Sequence, residues 1–185
     1  MKLIGNREAA RVLRDGGVVA NPAEACFGLA CDPMDRDAVH HILRLKRRSP
    51  ALGLILVAAR ITQLAPFLGP DAGPLLEAPR RSWPGAFTWL LPASARTPWW
   101  ISGGRGSVAV RVTAMPALAD LCRHFGGAVV STSANPHGLP PADNIARLKF
   151  YFGNRLEYAV RGRTGGLAKP SEIREAATGA VLRAG

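Results

Sequence analysis

The sequence predicts an α/β fold in which helices flank a largely parallel or mixed sheet. Short apolar runs alternate along the chain with segments whose apolar residues recur every three or four positions, the pattern of alternating strands and helices. Hydrophobic residues make up 48% of the 185 residues, enough for a substantial core. No repeat, low-complexity tract or linker interrupts the pattern, so we expect one domain over residues 1–185.

The elements of the first half follow from capping residues and periodicity. Asn6 and Asp35 can each cap a helix, and apolar side chains recur at helical spacing after both. Runs that are apolar throughout indicate strands that are buried on both faces. These signals predict helices at 6–15, 35–48, 61–68 and 70–81, and strands at 18–20 and 52–59.

The second half shows the same alternation. MPALADLCRHFG carries proline near its start and glycine at its end, a signature of helices. Runs rich in β-branched and aromatic residues indicate strands. We therefore expect helices at 115–126, 143–152 and 171–178, and strands at 86–93, 107–114, 128–134 and 180–184.

Polar residues follow three of the predicted strands. NPAEACFG (21–28), RVTAMP (111–116) and STSAN (131–135) each stand where a buried strand reaches the surface. Such residues can simply satisfy the backbone of a turn. In open α/β sheets, however, ligands bind beyond the carboxyl ends of strands. We expect the three segments to converge on one cleft.

The charge of the chain suits a polyanionic partner. The formal net charge is +11, and 20 of the 24 basic residues are arginines, which form forked contacts with phosphates and carboxylates. A nucleotide, an RNA or both would fit this excess, although a GC-rich genome also enriches arginine. Lys46, Arg47 and Arg48 end the second helix, where they either complement the helix dipole or clamp a polyphosphate.

Arg111 interrupts an apolar strand, VAVRVT. Alternation along the strand puts Ala109, Arg111 and Thr113 on one face. If this face forms a groove, Arg111 is placed to hold a carboxylate; otherwise it points to solvent. The sequence contains no phosphate loop, GxGxxG, HExxH or CxxC motif. The cations, hydroxyls and amide that remain suit the positioning and charge neutralisation that phosphoryl or nucleotidyl transfer needs.

Two further features bear on location. The three cysteines show no metal-ligand spacing, so we expect reduced thiols and a cytoplasmic protein. No apolar run approaches the roughly 20 residues of a membrane span, and the N-terminus does not resemble a signal peptide.

Seven blocks in order resemble the YrdC/Sua5 family, from about Gly16 to Gly185. The resemblance implies a single-domain, twisted open mixed sheet with a basic concave cleft, similar to the bacterial single-domain form rather than to longer Sua5 proteins. The blocks are GGVVANPAEACFGLACDP, LKRRSPALGLILVAA, WPGAFTWLLPA, SVAVRVTAMP, STSANPHGLPP, GGLAKPSEIR and VLRAG.

The resemblance also implies an activity. Family members join L-threonine, bicarbonate and ATP into L-threonylcarbamoyladenylate and release pyrophosphate. Partner proteins of a transfer complex then carry the group to adenosine 37 of tRNA. Mg²⁺ would accompany ATP, with no metal bound by the protein itself and no membrane involved.

The family motifs assign roles by position. Lys46 and Arg48 would be the catalytic pair that grips the ATP phosphates. Four further residues would contact the nucleotide: Ser107, Ser133, Asn135 and Arg183. The threonine site would be formed by Ala23, Arg111, Ser131 and Ser171.

The chain departs from the family pattern at a few positions. Asn21 and Ala23 stand where Tyr and Thr are usual, so amino-acid affinity or selectivity could be altered. Leu52, Leu167 and Lys169 are further departures. Two alternatives therefore remain: a non-catalytic member that binds tRNA or double-stranded RNA, and a related carbamoyl-adenylate enzyme of another pathway.

Overall fold

A computed structural model describes residues 1–185 and confirms the α/β class. Six α-helices alternate with eleven short strands. The helices are α1 (Asn6–Arg14), α2 (Arg36–Lys46), α3 (Glu77–Ser82), α4 (Trp99–Ser102), α5 (Pro116–Phe125) and α6 (Ile145–Phe152). The strands are β1 (Lys2–Ile4), β2 (Val19–Pro22), β3 (Phe27–Ala30), β4 (Ile55–Ala58), β5 (Phe87–Pro92), β6 (Ser107–Val112), β7 (Val129–Val130), β8 (Thr132–Ser133), β9 (Tyr158–Val160), β10 (Glu172–Glu175) and β11 (Val181–Arg183).

The strands divide between two mixed sheets, where the sequence had indicated one. The first sheet has the order β1-β9-β2-β3-β8, and the second has the order β11-β10-β5-β6-β4-β7. Each sheet contains both parallel and antiparallel pairs. A single residue, Ser131, separates β7 from β8, so the chain passes from one sheet to the other within STSAN. This crossing brings the polar segment to the place where the sheets meet.

Two clusters of buried side chains form the core. The larger, of 30 residues, includes the apolar face of α2 and alternate residues of β4, β5 and β6. The smaller, of 13 residues, joins α1 and α5 to the opposite faces of β2 and β4. No helix is long and apolar enough to span a bilayer.

The helix predicted at 171–178 is wrong. Residues 172–175 form β10, which pairs in parallel with β5, and Gly179 turns the chain into β11 at a φ of +75°. SEIREAA has favourable helix propensity, but the free edge of β5 supplies backbone partners that a surface helix would lack. Tertiary pairing therefore overrides a weak local preference.

Several smaller expectations also change. The segment 61–68 forms two 3₁₀ turns, and 70–76 is a 3₁₀ helix that precedes α3 and contains Pro74, which has no N–H to donate. Gly5, not Asn6, caps α1, and the Asn6 amide instead donates to Asp120 on α5 at 2.9 Å. Asp35 caps α2 as predicted, accepting from the backbone N–H of Ala38.

Candidate active site

The three polar segments converge, as the sequence predicted, on one cavity of about 430 Å³. Residues 23–26 between β2 and β3, the 107/109/111 face of β6 and residues 131–133 all line it. The segment around Pro170 and the end of β11 complete the wall. A cavity of this size, with a few converging polar groups, is typical of small-molecule sites.

Eight of the ten residues that the resemblance assigned to substrates line this cavity. The other two do not contribute to the lining: Asn135 ends the STSAN loop, and Lys46 donates to its backbone and side-chain oxygens. The eight are Ala23, Arg48, Ser107, Arg111, Ser131, Ser133, Ser171 and Arg183.

Arg111 is held by a carboxylate that sequence reasoning left without a role. Its Nη1 lies 3.0 Å from Oε2 of Glu24, and both side chains are about nine-tenths buried. The contact is an ion pair without the alignment of a hydrogen bond, because Glu24 Oε2 has no hydrogen-bond partner. Glu24 Oε1 accepts from Thr113 Oγ1 at 2.5 Å. The Arg111 guanidinium also lines the cavity, where its other Nη donors remain available.

Lys46 stabilises the STSAN loop through hydrogen bonds, although it does not itself line the cavity. Its ammonium donates to the backbone oxygen of Ser133, to the backbone oxygen of Asn135 at 3.1 Å and to Asn135 Oδ1 at 3.2 Å. Ser133 Oγ donates to the same Oδ1 at 2.6 Å. Burial, with a smaller contribution from the Arg48 cation, lowers the pKa of Lys46 from 10.5 to about 8.

This lowered pKa predicts a pH effect on stability. Relative to Lys46→Met, the wild-type free energy of unfolding is expected to rise from about pH 8 to pH 10.5. In that window the unfolded chain binds more protons than the folded one, so stability increases with pH. Urea titrations of both proteins across the window provide the measurement. A difference that stays flat would contradict the lowered pKa.

The remaining cations make the cavity strongly positive. Arg48, Arg105, Arg111 and Arg183 line it, against Glu24 as the only carboxylate. Burial and then the neighbouring Arg105 lower the pKa of Arg48. Burial, followed by Arg111 and Arg48, lowers the pKa of Arg183. An anion in the cavity would relieve this repulsion, so the arrangement favours a polyanionic ligand.

The C-terminal strands bring Ser171 and Arg183 together. Ser171 Oγ lies 3.0 Å from Thr88 Oγ1 on β5, and Arg183 Nη2 donates to the backbone oxygen of Ser171 at 2.7 Å. The strap, defined here as residues 163–171, is tied to the opposite wall: the N–H of Gly165 donates to Ala23 O at 2.9 Å. A Cβ at Gly165 would lie 2.9 Å from Glu24 O, so this close approach requires glycine.

The unusual residues at the end of β2, Asn21 and Ala23, have different surroundings in the structure. Ala23 lines the cavity and presents a methyl group there. Asn21 is fully buried outside the lining, and its Oδ1 has no hydrogen-bond partner. Leu52 also lines the cavity and is half exposed, whereas Leu167 and Lys169 lie on the exposed strap. Only Ala23 and Leu52 of these departures can touch a ligand in the cavity.

Sequence reasoning missed four lining or supporting residues. Glu24 could have been identified from its place in a polar segment that follows a strand, since a carboxylate buried there needs a cationic or hydrogen-bonding partner. Arg105 lies in GGRG, which matches no binding motif. Nothing in the sequence around Thr88 or Cys26 indicates a role in a site. No cluster of three or more His, Cys, Asp or Glu side chains could hold a metal ion.

Comparison with known proteins finds relatives over nearly the whole chain. The family model Sua5_yciO_yrdC, described as "Telomere recombination", matches residues 11–185. The threonylcarbamoyl-AMP synthase of Halorhodospira halophila is 54% identical over 177 residues, covering 96% of this chain and 93% of that protein. The enzyme of the same name from Alkalilimnicola ehrlichii is 53% identical over 181 residues, covering 96% and 94%.

Solved structures share the fold. P. abyssi Sua5 complexed with L-threonine superposes with a TM-score of 0.83 at 30% identity, covering 92% of this chain and 50% of that one. The chain therefore spans about half the length of the Sua5 structures it matches. The match with E. coli YciO covers 96% of this chain and 87% of that chain, at 20% identity and a TM-score of 0.81. It supports the fold alone. Together with the family model, these matches show that the chain belongs to the Sua5/YciO/YrdC family.

Proposed function

We propose that this protein is a threonylcarbamoyl-AMP synthase. It forms L-threonylcarbamoyladenylate and pyrophosphate from L-threonine, bicarbonate and ATP. The observation that carries the proposal is the cavity itself, where a buried arginine with unused donors faces the same space as three further arginines. Relatives that are more than half identical over nearly the whole chain carry this name.

Arg111 is the proposed anchor for the threonine carboxylate. Its guanidinium lines the cavity and has Glu24 as its charged partner within the protein, so further N–H groups remain for a substrate carboxylate. Ser131 and Ser171 supply hydroxyls nearby, and both line the cavity together with the methyl group of Ala23. We assign this group of residues to the amino acid.

The nucleotide phosphates are assigned to the other cations. Arg48 and Arg183 line the cavity, and their lowered pKa values reflect burial and mutual repulsion that an anion would relieve. Ser107 and Ser133 offer hydroxyls to the nucleotide. Lys46 and Asn135 hold Ser133 in place through hydrogen bonds. Lys46 also adds a positive charge beside the phosphates.

The chemistry is mainly orientation and charge neutralisation. The threonine amine attacks the carbon of bicarbonate, and loss of water leaves a carbamate. A carbamate oxygen then attacks the α-phosphorus of ATP, and the bond to the β-phosphate oxygen breaks as pyrophosphate leaves. Arg48 and Lys46 would neutralise the charge that develops on the phosphates, the role that cations play in such transfers.

Mg²⁺ enters this scheme as part of the nucleotide substrate. The only carboxylate in the cavity, Glu24, is already engaged by Arg111 and Thr113, so the residues present do not form a protein site for the ion. Phosphate oxygens and water are its preferred ligands in such cases.

The product would be consumed by a transfer complex that modifies adenosine 37 of tRNA, and we place this activity in the cytoplasm. The supporting observation is that all three cysteines are free, and reduced thiols are the rule in the cytosol. The net charge of +11 also favours contact with RNA, so tRNA itself is a candidate partner.

The test is pyrophosphate release from ATP with bicarbonate, with and without L-threonine and with L-serine as the competing amino acid. We expect release that depends on L-threonine and is lost in Lys46→Ala. A catalytic role would be contradicted by absence of release in a protein that still binds tRNA. Affinity for tRNA that persists after replacement of Lys46 and Arg48 would instead support the RNA-binding alternative.

A further inference from the structure

We propose that Glu24 is a positioning residue that aligns the Arg111 guanidinium with the carboxylate of the amino-acid substrate. The inference rests on the proposed function, because it takes the L-threonine carboxylate as the ligand of Arg111. Glu24 itself does not contact the substrate in this scheme. It acts by fixing the plane and position of the guanidinium.

The ion pair joins the two sheets. Glu24 lies in the loop between β2 and β3 of the first sheet, and Arg111 lies on β6 of the second. Their exposed fractions are only 8% and 7%, so neither charge is stabilised by bulk water. A buried charge is tolerated when it is paired and further held by polar contacts. The pair therefore fixes Arg111 relative to both walls of the cavity.

Glu24 is itself held by two segments besides Arg111. Thr113 Oγ1 donates to its second carboxylate oxygen and accepts from the backbone N–H of Met115 at 3.0 Å, at the start of α5. The N–H of Leu167 in the strap donates to the backbone oxygen of Glu24 at 3.0 Å. Because Glu24 is held at a carboxylate oxygen and at its backbone oxygen, it can restrict the longer, more flexible side chain of Arg111.

The arrangement leaves Arg111 with donors to spare. A guanidinium carries five N–H groups in a rigid plane. Nη1 lies 3.0 Å from Glu24 Oε2, and the guanidinium lines the cavity with its other Nη donors available. Because the group is planar and rigid, holding one nitrogen beside a fixed carboxylate restricts where the other donors point. Without Glu24, Arg111 would regain rotamers and lose its preset alignment with an incoming carboxylate.

The test compares L-threonine with L-threoninol, in which a hydroxymethyl group replaces the carboxylate. In Glu24→Gln, calorimetry is expected to show L-threonine affinity falling roughly tenfold, the scale of one charged hydrogen bond, with L-threoninol affinity unchanged. In turnover, the KM for L-threonine should rise by a similar factor while the KM for ATP stays within about twofold. General damage to the site would instead weaken both ligands.

Glu77→Gln provides the matched control. Glu77 carries the same charge, but its carboxylate forms an exposed pair with Arg81 and does not line the cavity. L-threonine affinity should match wild type. Equal losses in Glu77→Gln and Glu24→Gln, or equal losses of both ligands in Glu24→Gln, would overturn the proposal.

A second variant guards against misfolding. Glu24→Asp keeps the charge with a shorter reach, and we expect an intermediate loss of L-threonine affinity with L-threoninol affinity unchanged. A wild type that is active, combined with Glu24 variants that bind L-threonine normally, would refute this inference alone. A wild type that neither binds L-threonine nor releases pyrophosphate in its presence would instead refute the proposed function.

Discussion

Replacing Arg111 with alanine is expected to lower kcat/KM for L-threonine by about 100-fold or more. Truncating one partner of a buried charge pair costs about 2–5 kcal/mol in binding, because the other charge, here the L-threonine carboxylate, stays buried without a counter-ion. Within the protein, Glu24 also loses its only cationic contact. The same change is expected to destabilise the folded protein by about 3–5 kcal/mol. Steady-state pyrophosphate release and thermal unfolding measure the two effects.

Arg111→Lys separates binding from folding. It retains a positive charge beside Glu24 but loses the planar fork, so we expect near-normal stability with an L-threonine affinity reduced about tenfold. Arg123→Ala is the matched control, since its guanidinium forms an exposed pair with Asp120 at 3.7 Å. Such surface pairs contribute about 0–1 kcal/mol, so activity should not change. Normal L-threonine kinetics in Arg111→Ala would contradict the assigned carboxylate site.

Arg48→Ala is expected to raise the KM for ATP by about 10- to 100-fold. Arg48 donates through Nη2 to the backbone oxygen of Gly53 at 3.1 Å, while its buried Nε has no partner. Arg48 lines the cavity, where a phosphate would accept from its remaining Nη donors, and each charged hydrogen bond contributes about 1.5–3 kcal/mol. Calorimetry with ATP and pyrophosphate release at saturating L-threonine are the measurements. L-threonine affinity should remain within about twofold, because Arg111 is unaltered.

Arg47→Ala tests whether position or charge produces this effect. Arg47 is the adjacent residue and carries the same charge, but it is exposed at the end of α2 with a left-handed backbone, and it does not line the cavity. We expect its KM for ATP to match wild type. If Arg47→Ala and Arg48→Ala weakened ATP equally, general electrostatic attraction would explain the result, and a specific Arg48 contact would be excluded.

Local sequence predicted much of the secondary structure and the segments that line the candidate cavity. The alternation of apolar strands and amphipathic helices predicted the α/β class, because burial of one face depends only on residue order within a segment. The Asp35 cap and the Pro–Gly ends of α5 are local signals of the same kind. The three polar segments that follow strands predicted a shared cleft, because the carboxyl ends of neighbouring strands lie at one edge of a sheet.

Contacts between distant segments decided the rest. β1 and β9 are three residues each, and they pair although most of the chain separates them in sequence. β10 is a strand because β5 has a free edge to pair with. Neither result is readable from a short window. The division into two sheets has the same origin, since it depends on where the chain crosses at Ser131.

The site shows this division most clearly. The sequence by itself singled out Arg111 and the Lys46–Arg48 pair, because a charge in an apolar strand or at a helix end is visible in the order of residues. Only the tertiary structure decided that Arg48 faces the cavity while Lys46 supports the loop from behind, and that Glu24 pairs with Arg111. The physical reason is that a buried charge needs a partner, and folding, not sequence proximity, determines which partner is within reach.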